Sequence, residues 1–294
     1  MGFKAWFRPL SSRFHNRHLL TVFMVCALLT TSACTVLVDY SREQCFSDDD
    51  CRARGPAFSG AVCVDSVCRA DPAWECLGKV NWPPPPRAQV TITLGIRELV
   101  SEAPVPTVTG RICRKLDIEC AQPLMSGLKV DASGDLKVPV ENGFDGFVEI
   151  RAPGYIPGLY FFYPPVDGSK EVPNIPLFSP MVIAGFAQAG QRMLVPNKGH
   201  VMLGAYDCQG RPAAGVKLSS EDGDAETSAF YVIKKFPVTN ADGTDSSGRA
   251  GLINLRPGTV SILGDTAKNE RIARVSVLVR ANEITYTSLV PAPR

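Results

Sequence analysis

The stretch TDSSGRAGLINLRPGTVSI, residues 244–262, contains a turn, a short apolar strand, a second turn and a second strand. In the first turn, Asp245 can accept hydrogen bonds from the backbone that follows it, and Gly248 supplies a positive φ. Short runs rich in Val, Ile and Leu between turn residues are typical of strands. The stretch therefore predicts a strand that follows a tight hairpin turn.

A second copy of this pattern lies 114 residues earlier, where DASGDLKVPV begins at Asp131. The chain is also rich in Gly and Pro, with 25 and 24 residues, and its apolar residues alternate in short runs rather than at helical spacing. We therefore expect a mainly β protein with two tandem β-sandwiches, preceded by a small disulfide-rich segment. Strands are predicted at 89–95, 107–112, 127–130, 136–140, 146–150, 159–163, 201–206, 216–219, 230–233, 250–255, 259–263, 273–279 and 284–289.

Composition changes along the chain predict six parts. These are a lipoprotein signal peptide at 1–33, a disulfide-rich segment at 34–82, a proline-rich linker at 83–87, a first sandwich at 88–165, a connector with a short helix at 166–199 and a second sandwich at 200–294. Four consecutive prolines at 83–86 favour polyproline II, a stiff spacer. Pro180 suits the first turn of the connector helix.

The N-terminal residues have the features of an export signal. Residues 1–33 carry four basic and no acidic side chains, and an apolar run at 19–29 is followed by small residues. The run is shorter than the roughly 20 residues of a membrane span. Ser32-Ala33-Cys34 resembles the lipobox of bacterial lipoproteins, which implies lipidation at Cys34; the alternative is an ordinary signal peptide with Cys34 in a disulfide. Thr35 in place of Asp then favours the outer membrane of a Gram-negative bacterium, on its periplasmic or its exposed face.

The charge balance gives no support for nucleic-acid binding. The chain has 31 Lys and Arg residues against 29 Asp and Glu, but four of the basic residues lie in the expected signal peptide. The mature chain would be slightly acidic, which provides no electrostatic attraction to nucleic acid. The expected partners are the membrane, through the lipid anchor, and an unknown protein or glycan.

Eight cysteines remain after Cys26 in the signal and Cys34 are set aside. An even number in an exported chain indicates disulfide bonds. Zinc is the alternative, but the mature part has one histidine, His200, and no C-x-x-C pair, so we expect no metal or cofactor. The disulfide candidates are Cys45, Cys51, Cys63, Cys68, Cys76, Cys113, Cys120 and Cys208.

The first four of these cysteines lie within 24 residues that cannot bury a core, so two bridges would hold them together. Three pairings are possible. Interleaved bonds, Cys45–Cys63 and Cys51–Cys68, are favoured because adjacent pairing leaves two unconnected loops. The acidic triplet at 48–50 lacks the spaced ligands of a calcium loop and indicates a solvated turn.

The other four cysteines suggest one local and one long-range bond. In CRKLDIEC, Cys113 and Cys120 flank a polar loop, which suits a bridge at the end of a strand. Cys76 and Cys208 then remain as a pair by elimination. Their bond would tie the segment before the linker to the second sandwich.

Two stretches in the second half carry a family resemblance. YDCQGRPAAGVKLSS, followed by TDSSGRAGLINLRPGTVSI, resembles the carboxypeptidase regulatory-like β-sandwich, which is related in shape to transthyretin. The matching residues are Asp207, Gly210, Pro212, Gly215, Val216, Thr244, Asp245, Gly248, Leu255, Pro257 and Gly258. The whole chain looks like a group of Gram-negative cell-surface lipoproteins of unassigned function. The resemblance implies two tandem Ig/transthyretin-like β-sandwiches that serve as accessory, non-catalytic modules.

Catalysis has few candidate residues. A Ser-His-Asp arrangement would need His200, because His15 and His18 lie in the signal, and a surface histidine at a strand start is the simpler interpretation. The acidic run at 221–226 could offer paired carboxylates for glycosidase chemistry, but a solvated turn is favoured. We expect no catalytic residue and no enzymatic activity.

An aromatic stretch offers a binding hypothesis. GYIPGLYFFYPP, residues 154–165, contains five aromatic residues within nine positions. Because alternate residues of a strand face opposite sides, Tyr160 and Phe162 share one face and Phe161 lies on the other. One face must be core, while the other could present rings to a ligand or pack beneath the connector. The possible ligand surface is Tyr155, Tyr160 and Phe162.

We therefore expect a non-catalytic, lipid-anchored envelope protein that presents β-sandwich interaction modules. The alternative is a carbohydrate-binding module that uses the aromatic strand. A second alternative is an accessory factor of a secreted hydrolase. Exposed sheet edges would offer a further route to a partner, by addition of a strand.

Overall fold

The computed structural model describes residues 44–55, 58, 61–70, 72–82 and 86–293. The predicted signal peptide, the predicted lipidation site Cys34 and most of the proline run lie outside these residues. The chain forms two compact units, residues 1–70 and 71–294.

The first unit is held together by its disulfide bonds. Its described part contains helix α1 (Asp48–Arg52) and an antiparallel hairpin of β1 (Ala61–Val64) and β2 (Val67–Ala70). The bonds Cys45–Cys63 and Cys51–Cys68 are the interleaved pairs favoured from the sequence. They replace the apolar core that so short a segment cannot build.

The acidic triplet of the first unit begins a helix rather than forming a solvated turn. Ser47 caps α1, and Asp50 completes a capping box with it. Asp48 accepts a hydrogen bond from the Cys63 backbone at 2.9 Å. Hydrogen bonds from the backbone of Phe46 and Ser47 lower the pKa of Asp50. Negative side chains in a first helical turn are favourable because they face the positive end of the helix dipole.

The second unit is almost entirely β. Besides a short 3-10 helix at Pro72–Trp74 it contains one α-helix, α2 (Pro180–Ala189), within the described residues. Its strands are β3 (Gln89–Glu98), β4 (Thr109–Arg114), β5 (Met125–Lys129), β6 (Asp135–Glu141), β7 (Gly146–Arg151), β8 (Gly158–Phe161), β9 (Lys170–Leu177), β10 (Gly199–Ala205), β11 (Lys217–Ser220), β12 (Ser228–Ile233), β13 (Phe236–Val238), β14 (Arg249–Leu255), β15 (Gly258–Asp265), β16 (Arg271–Val279) and β17 (Ile284–Leu289). The mainly β class is the one that the sequence predicted.

The two predicted sandwiches share one large sheet. A nine-stranded sheet has the order β13-β12-β14-β10-β17-β8-β7-β4-β5, and two three-stranded sheets have the orders β6-β3-β9 and β11-β15-β16. The C-terminal strand β17 lies between the halves and runs parallel to β10 on one side and to β8 on the other. The backbone ladder is therefore continuous from one half to the other.

Each small sheet covers a different face of the large sheet. The first core contains Ile92 of β3 together with Tyr160 of β8, and the second core contains Val275 of β16 together with Phe161 of β8. Adjacent residues of a strand face opposite sides, so the two cores lie on opposite faces of the nine-stranded sheet. Both faces of β8 are consequently buried.

The two Asp-x-x-Gly turns form as predicted locally, but neither joins two strands of the same sheet into a full hairpin. Asp131 accepts from the Ser133 backbone at 3.0 Å, Asp245 accepts from the Ser247 backbone at 2.8 Å, and the glycines have φ of 82° and 66°. The first turn closes an antiparallel bridge between Val130 and Leu136, although β5 and β6 then continue in different sheets. The second turn connects β13 to β14, which are separated by β12. The hairpin expectation is therefore confirmed over one residue pair at the first turn and wrong at the second, because an Asx turn fixes only the local backbone.

The predicted connector at 166–199 is partly a strand. Residues 170–177 form β9, which runs parallel to β3 and completes the first small sheet. Helix α2 then begins at Pro180 as predicted, and Ser179 caps it by accepting from the Val182 backbone. Prolines obscured β9 in the sequence pattern, and they are tolerated because β9 is an edge strand. Strand β13, also at an edge, was not predicted either.

Candidate functional site

His200 is buried rather than exposed. It lies on β10 with 6% of its surface exposed, and its Nδ1 accepts a hydrogen bond from the Asn254 backbone at 3.3 Å. Burial lowers its pKa to about 4, so the ring is neutral near pH 7. The expectation of a surface histidine is wrong. Because Nδ1 accepts a hydrogen bond, the proton of the neutral ring lies on Nε2, the nitrogen that must be unprotonated to act as the general base of a catalytic triad.

Asn254 organises the polar contacts beside His200. It is 3% exposed and has a left-handed φ of 60° at an irregular position of β14. Its side chain accepts from the Val195 backbone at 3.0 Å and donates to the carbonyl oxygens of Met193 and Glu226. These bonds satisfy a buried amide and attach two loops to the sheet.

The acidic run at 221–226 is an exposed turn region, as expected, and it is also ion-paired. Lys198 contacts Asp224 at 2.6 Å and Glu226 at 3.0 Å, and Arg256 contacts Asp224 at 2.9 Å. Hydrogen bonds from Lys198 lower the pKa of Asp224 and those to both carboxylates raise the pKa of Lys198. Asp224 therefore stays ionised and is not poised as a general acid.

The aromatic strand belongs to the core. Tyr160 and Phe162 are 6% and 2% exposed, and their rings pack edge to face at 5.2 Å. Phe161 on the opposite face is 2% exposed and stacks on Phe147. Tyr155 is half-buried and packs against the first core. The proposed ligand surface is therefore wrong, because both faces of β8 are covered by small sheets.

The remaining cysteines form the two bonds predicted for them. Cys113 and Cys120 close a loop after β4, and Cys76 is bonded to Cys208 across 132 residues. The second bond ties the start of the unit to the turn that follows β10, where the Cys208 backbone also donates to Ala73 at 2.8 Å. All eight described cysteines are thus oxidised.

A charged cluster around the buried carboxylate of Glu149 joins the two halves, and no motif in the sequence predicted it. We call it the inter-sandwich cluster, and its members are Arg111, Glu149, Arg151, Arg280 and Glu283. Glu149 on β7 is 2% exposed and accepts hydrogen bonds from Arg111 and Arg280. The sequence feature that could have indicated this cluster is Glu149 itself, a single acidic residue inside the otherwise apolar strand GFVEI.

Arg280 makes the contacts that cross between the halves. It follows β16, and its guanidinium also donates to the carbonyl of Ile118 and lies 5.5 Å from the ring centre of Phe147. The carbonyl belongs to the loop closed by Cys113 and Cys120. Arg280 therefore holds that loop and Glu149 against the second half.

The two carboxylates of the cluster differ in pKa. Burial raises the pKa of Glu149, but hydrogen bonds from Arg280 and Arg111 outweigh it, and the net shift is downward. Burial raises the pKa of Glu283 above its usual value, although Arg280 and Arg151 oppose this. Such a difference occurs in glycosidase sites, but Glu149 is covered by side chains and cannot reach a substrate.

Two groups of side chains in the described residues have the spacing of metal ligands. They are Cys45 with Cys51 and Cys68, and Cys113 with Cys120 and Glu149. Every one of these cysteines is in a disulfide bond, so none offers the thiolate that binds a metal. Neither group fits a metal ion.

The edges of the sheets are poorly suited to strand addition. Edge strand β13 has three residues with Pro237 in the middle, and β6 carries Lys137 and Pro139 at exposed positions. The backbone of Ala292 covers the start of β16 by donating to Ile272 at 3.2 Å. Short strands, prolines and charged residues are the usual protection against edge pairing. Over the described residues, no helix combines the length and apolar character needed to cross a bilayer.

Comparisons with known proteins give only remote likenesses. No protein-family model matches the chain, and no curated protein matches it. Among solved structures, the major pilin subunit BcpA of Bacillus cereus is 9% identical, with 70% of this chain and 100% of that chain covered and a TM-score of 0.22. The shaft pilin spaA of Lactobacillus rhamnosus GG is 12% identical, with coverages of 71% and 99% and a TM-score of 0.22.

A carbohydrate-binding module is also among the similar structures. It is the family CBM26 module of Eubacterium rectale Amy13K in complex with maltoheptaose, at 11% identity, with 68% of this chain and 92% of that chain covered and a TM-score of 0.24. TM-scores this low carry no argument about this chain.

Proposed function

We propose that this chain is a non-catalytic, lipid-anchored envelope protein whose larger unit presents one stiff β-sandwich pair to a partner outside the cytoplasm. The observation that carries the proposal is the pairing of β8 with β17, which merges the two sandwiches into a single nine-stranded sheet. An interaction module benefits from such a connection because its surfaces keep a fixed relative position.

The stiffness has two further sources. The inter-sandwich cluster adds buried ion pairs across the same boundary, with Arg280 at 15% and Glu149 at 2% side-chain exposure. The bond between Cys76 and Cys208 fixes the start of the unit to its second half. Bending between the halves would break backbone hydrogen bonds and leave buried charges unpaired, which is costly.

The oxidised cysteines support a location outside the cytoplasm. Four disulfide bonds persist in an oxidising compartment and are rare where thiols are kept reduced. They agree with an export signal at 1–33. They also leave Cys34 as the one cysteine of the expected mature chain without a partner among those eight, which suits a lipid attachment site.

The geometry favours binding over catalysis. His200 is neutral and buried, and the carboxylates of the 221–226 loop are held by Lys198, Arg256 and Arg274. These groups stabilise the fold. The partner would be a protein or a glycan, met on a surface other than the buried aromatic strand.

Mass spectrometry of the chain purified from membranes of its native host tests the proposal. We expect a mature N-terminus at Cys34 carrying acyl chains, with the other eight cysteines oxidised. The matched control is Cys34→Ala, which should appear in the soluble fraction with the same four disulfide bonds. An unlipidated N-terminus upstream or downstream of Cys34 would contradict the anchor.

A further inference from the structure

The β12–β13 hairpin ends in an unusual turn. Ile233 pairs with Phe236, so the turn has only two residues, Lys234 and Lys235, and their φ angles are 50° and 73°. A two-residue turn with both φ positive is normally built from Asn-Gly, because other side chains are strained there. Two consecutive lysines in this conformation therefore lower stability relative to the usual residues, which marks the turn as a candidate functional feature.

The three residues of this tip, Lys234, Lys235 and Phe236, are all exposed. Phe236 has 70% of its surface exposed, so an exposed aromatic side chain directly follows two exposed lysines in the chain. Within the described part of the chain neither lysine makes a salt bridge. Asp245 accepts from the Lys234 backbone at 2.9 Å and from the Ser247 backbone, so it supports the turn through the main chain.

The tip lies at the end of the sheet where the chain enters the second unit. Tyr231 of β12 pairs with Ala250 of β14, which in turn pairs with Leu203 of β10, so β12 and β10 point the same way. Strand β10 leads directly into the turn that carries Cys208, and Cys208 is bonded to Cys76. The acidic loop at 221–226 precedes β12 and so lies at the opposite end.

The chemistry of the tip matches one kind of surface. Ammonium groups are attracted to anionic lipid headgroups, and an aromatic ring gains by entering the boundary between headgroups and acyl chains. A soluble polyanion would attract the lysines but leave Phe236 in water. The bilayer therefore accounts for all three residues.

We propose that Lys234, Lys235 and Phe236 form a contact site for an anionic lipid bilayer, which orients the second unit at the membrane. This inference goes beyond the proposed function. It rests on the proposed function only for the lipid on Cys34, which would keep the bilayer close to the tip. Two lysines and one ring bind weakly alone, but a tethered chain meets the surface at high effective concentration. The contact then sets which face of the sandwich pair points away from the membrane.

Quenching by brominated lipids tests the site directly. The probe is Phe236→Trp in the full mature chain carrying Cys34→Ala, so that no lipid anchor contributes, and the chain with Phe236 retained gives the baseline from Trp74 and Trp82. We expect extra quenching by brominated phosphatidylethanolamine vesicles that contain phosphatidylglycerol. Brominated phosphatidylcholine vesicles should give little extra quenching, because their headgroups carry no net negative charge to attract the lysines.

The decisive variant is Lys234→Asn with Lys235→Gly, which removes both charges and installs the residues that the turn prefers. We expect half-maximal quenching to need on the order of tenfold more lipid, and the midpoint of thermal unfolding to stay equal or rise. The matched control, Lys129→Asn with Lys137→Asn, removes two exposed lysines from the first half and should leave quenching unchanged. Lys234→Gln with Lys235→Gln repeats the charge loss without a glycine.

Three results would overturn the proposal. One is quenching in both charge-loss variants that equals the quenching of the parent Phe236→Trp chain, and another is the absence of extra quenching by anionic vesicles in the Phe236→Trp chain. The third is binding to dextran sulfate through the two lysines with no contact to vesicles, which would assign the tip to a soluble polyanion. Failure of lipidation at Cys34 would contradict only the proposed lipid anchor and not the contact site, because the quenching experiment uses a chain without the lipid.

Discussion

Arg280 donates a hydrogen bond to the buried carboxylate of Glu149, and in doing so connects the two halves of the larger unit across 131 residues of sequence. Arg280 follows β16 of the second half, and Glu149 lies in β7 of the first. The pair stands beside the strand boundary between β8 and β17, so charge pairing and backbone pairing reinforce the same junction. The four predictions below concern this junction, the core, the disulfide bonds and the buried histidine.

Loss of Arg280 should weaken the junction. In Arg280→Met the carboxylate of Glu149 stays buried with Arg111 as its main remaining partner. We expect the free energy of unfolding to fall by about 3 kcal/mol, as for other buried pairs that lose one member. Urea denaturation followed by circular dichroism measures the change.

The control for this variant is Arg274→Met. Arg274 pairs with Glu221 at 2.6 Å, but the two side chains are 60% and 41% exposed. Exposed pairs contribute about 0–1 kcal/mol, so this variant should unfold almost like the parent chain. Equal losses in the two variants would contradict the role assigned to the junction.

Phe162 should behave as a core residue. It is 2% exposed, and Phe162→Ala is expected to lower the free energy of unfolding by about 3–5 kcal/mol. The same change at Phe236, which is 70% exposed, should alter it by about 0.5 kcal/mol or less. A Phe162→Ala chain that keeps its stability and loses binding to a glycan would restore the ligand-surface hypothesis.

The two disulfide bonds of the larger unit should differ in their effect on stability. Chain entropy predicts about 5 kcal/mol for Cys76–Cys208, which spans 132 residues, against about 2 kcal/mol for Cys113–Cys120, which spans seven. Double substitutions to Ser at each pair, compared by urea denaturation, measure the difference. A larger loss for the short loop would show that its contact with Arg280 matters more than loop closure.

Stability should fall between about pH 6.5 and pH 4 because of His200. Its pKa is lowered from 6.5 in the unfolded chain to about 4 by burial. The unfolded chain therefore takes up a proton that the folded chain excludes, so the stabilisation is present above pH 6.5 and is lost as pH falls. The loss is about 3 kcal/mol over that window.

His200→Gln separates this effect from the carboxylates. A neutral side chain that can still accept from the Asn254 backbone should give a flatter pH profile between pH 6.5 and 4. The pKa values of Asp224 and Glu149 are lowered, so their contributions are lost only at lower pH. An unchanged slope in the variant between pH 6.5 and 4 would rule out His200 as the cause.

Local patterns in the sequence were sufficient for the β class, most strand positions and the pairing of the cysteines. Each predicted strand overlaps an observed one, because period-two alternation is a property of a few adjacent residues. The Asp131 and Asp245 turns also form from local hydrogen bonds. The disulfide bonds had few alternatives, because the number of cysteines is even and the last two could be paired by elimination. Edge strand β9 was not predicted, because its prolines interrupt the alternation of apolar and polar residues.

The sequence by itself therefore determined which residues of β8 share a face, but only the tertiary structure decided that both faces are buried. Alternation shows that Tyr160 and Phe161 point to opposite sides, yet it carries no information about which strands and sheets cover each side. The covering of each side depends on β17, which lies far along the chain. This strand pairs with β8 and so merges the sheets of the two halves. Glu149 and Arg280 meet for the same reason, since pairing between distant strands is set by the packing of the whole core.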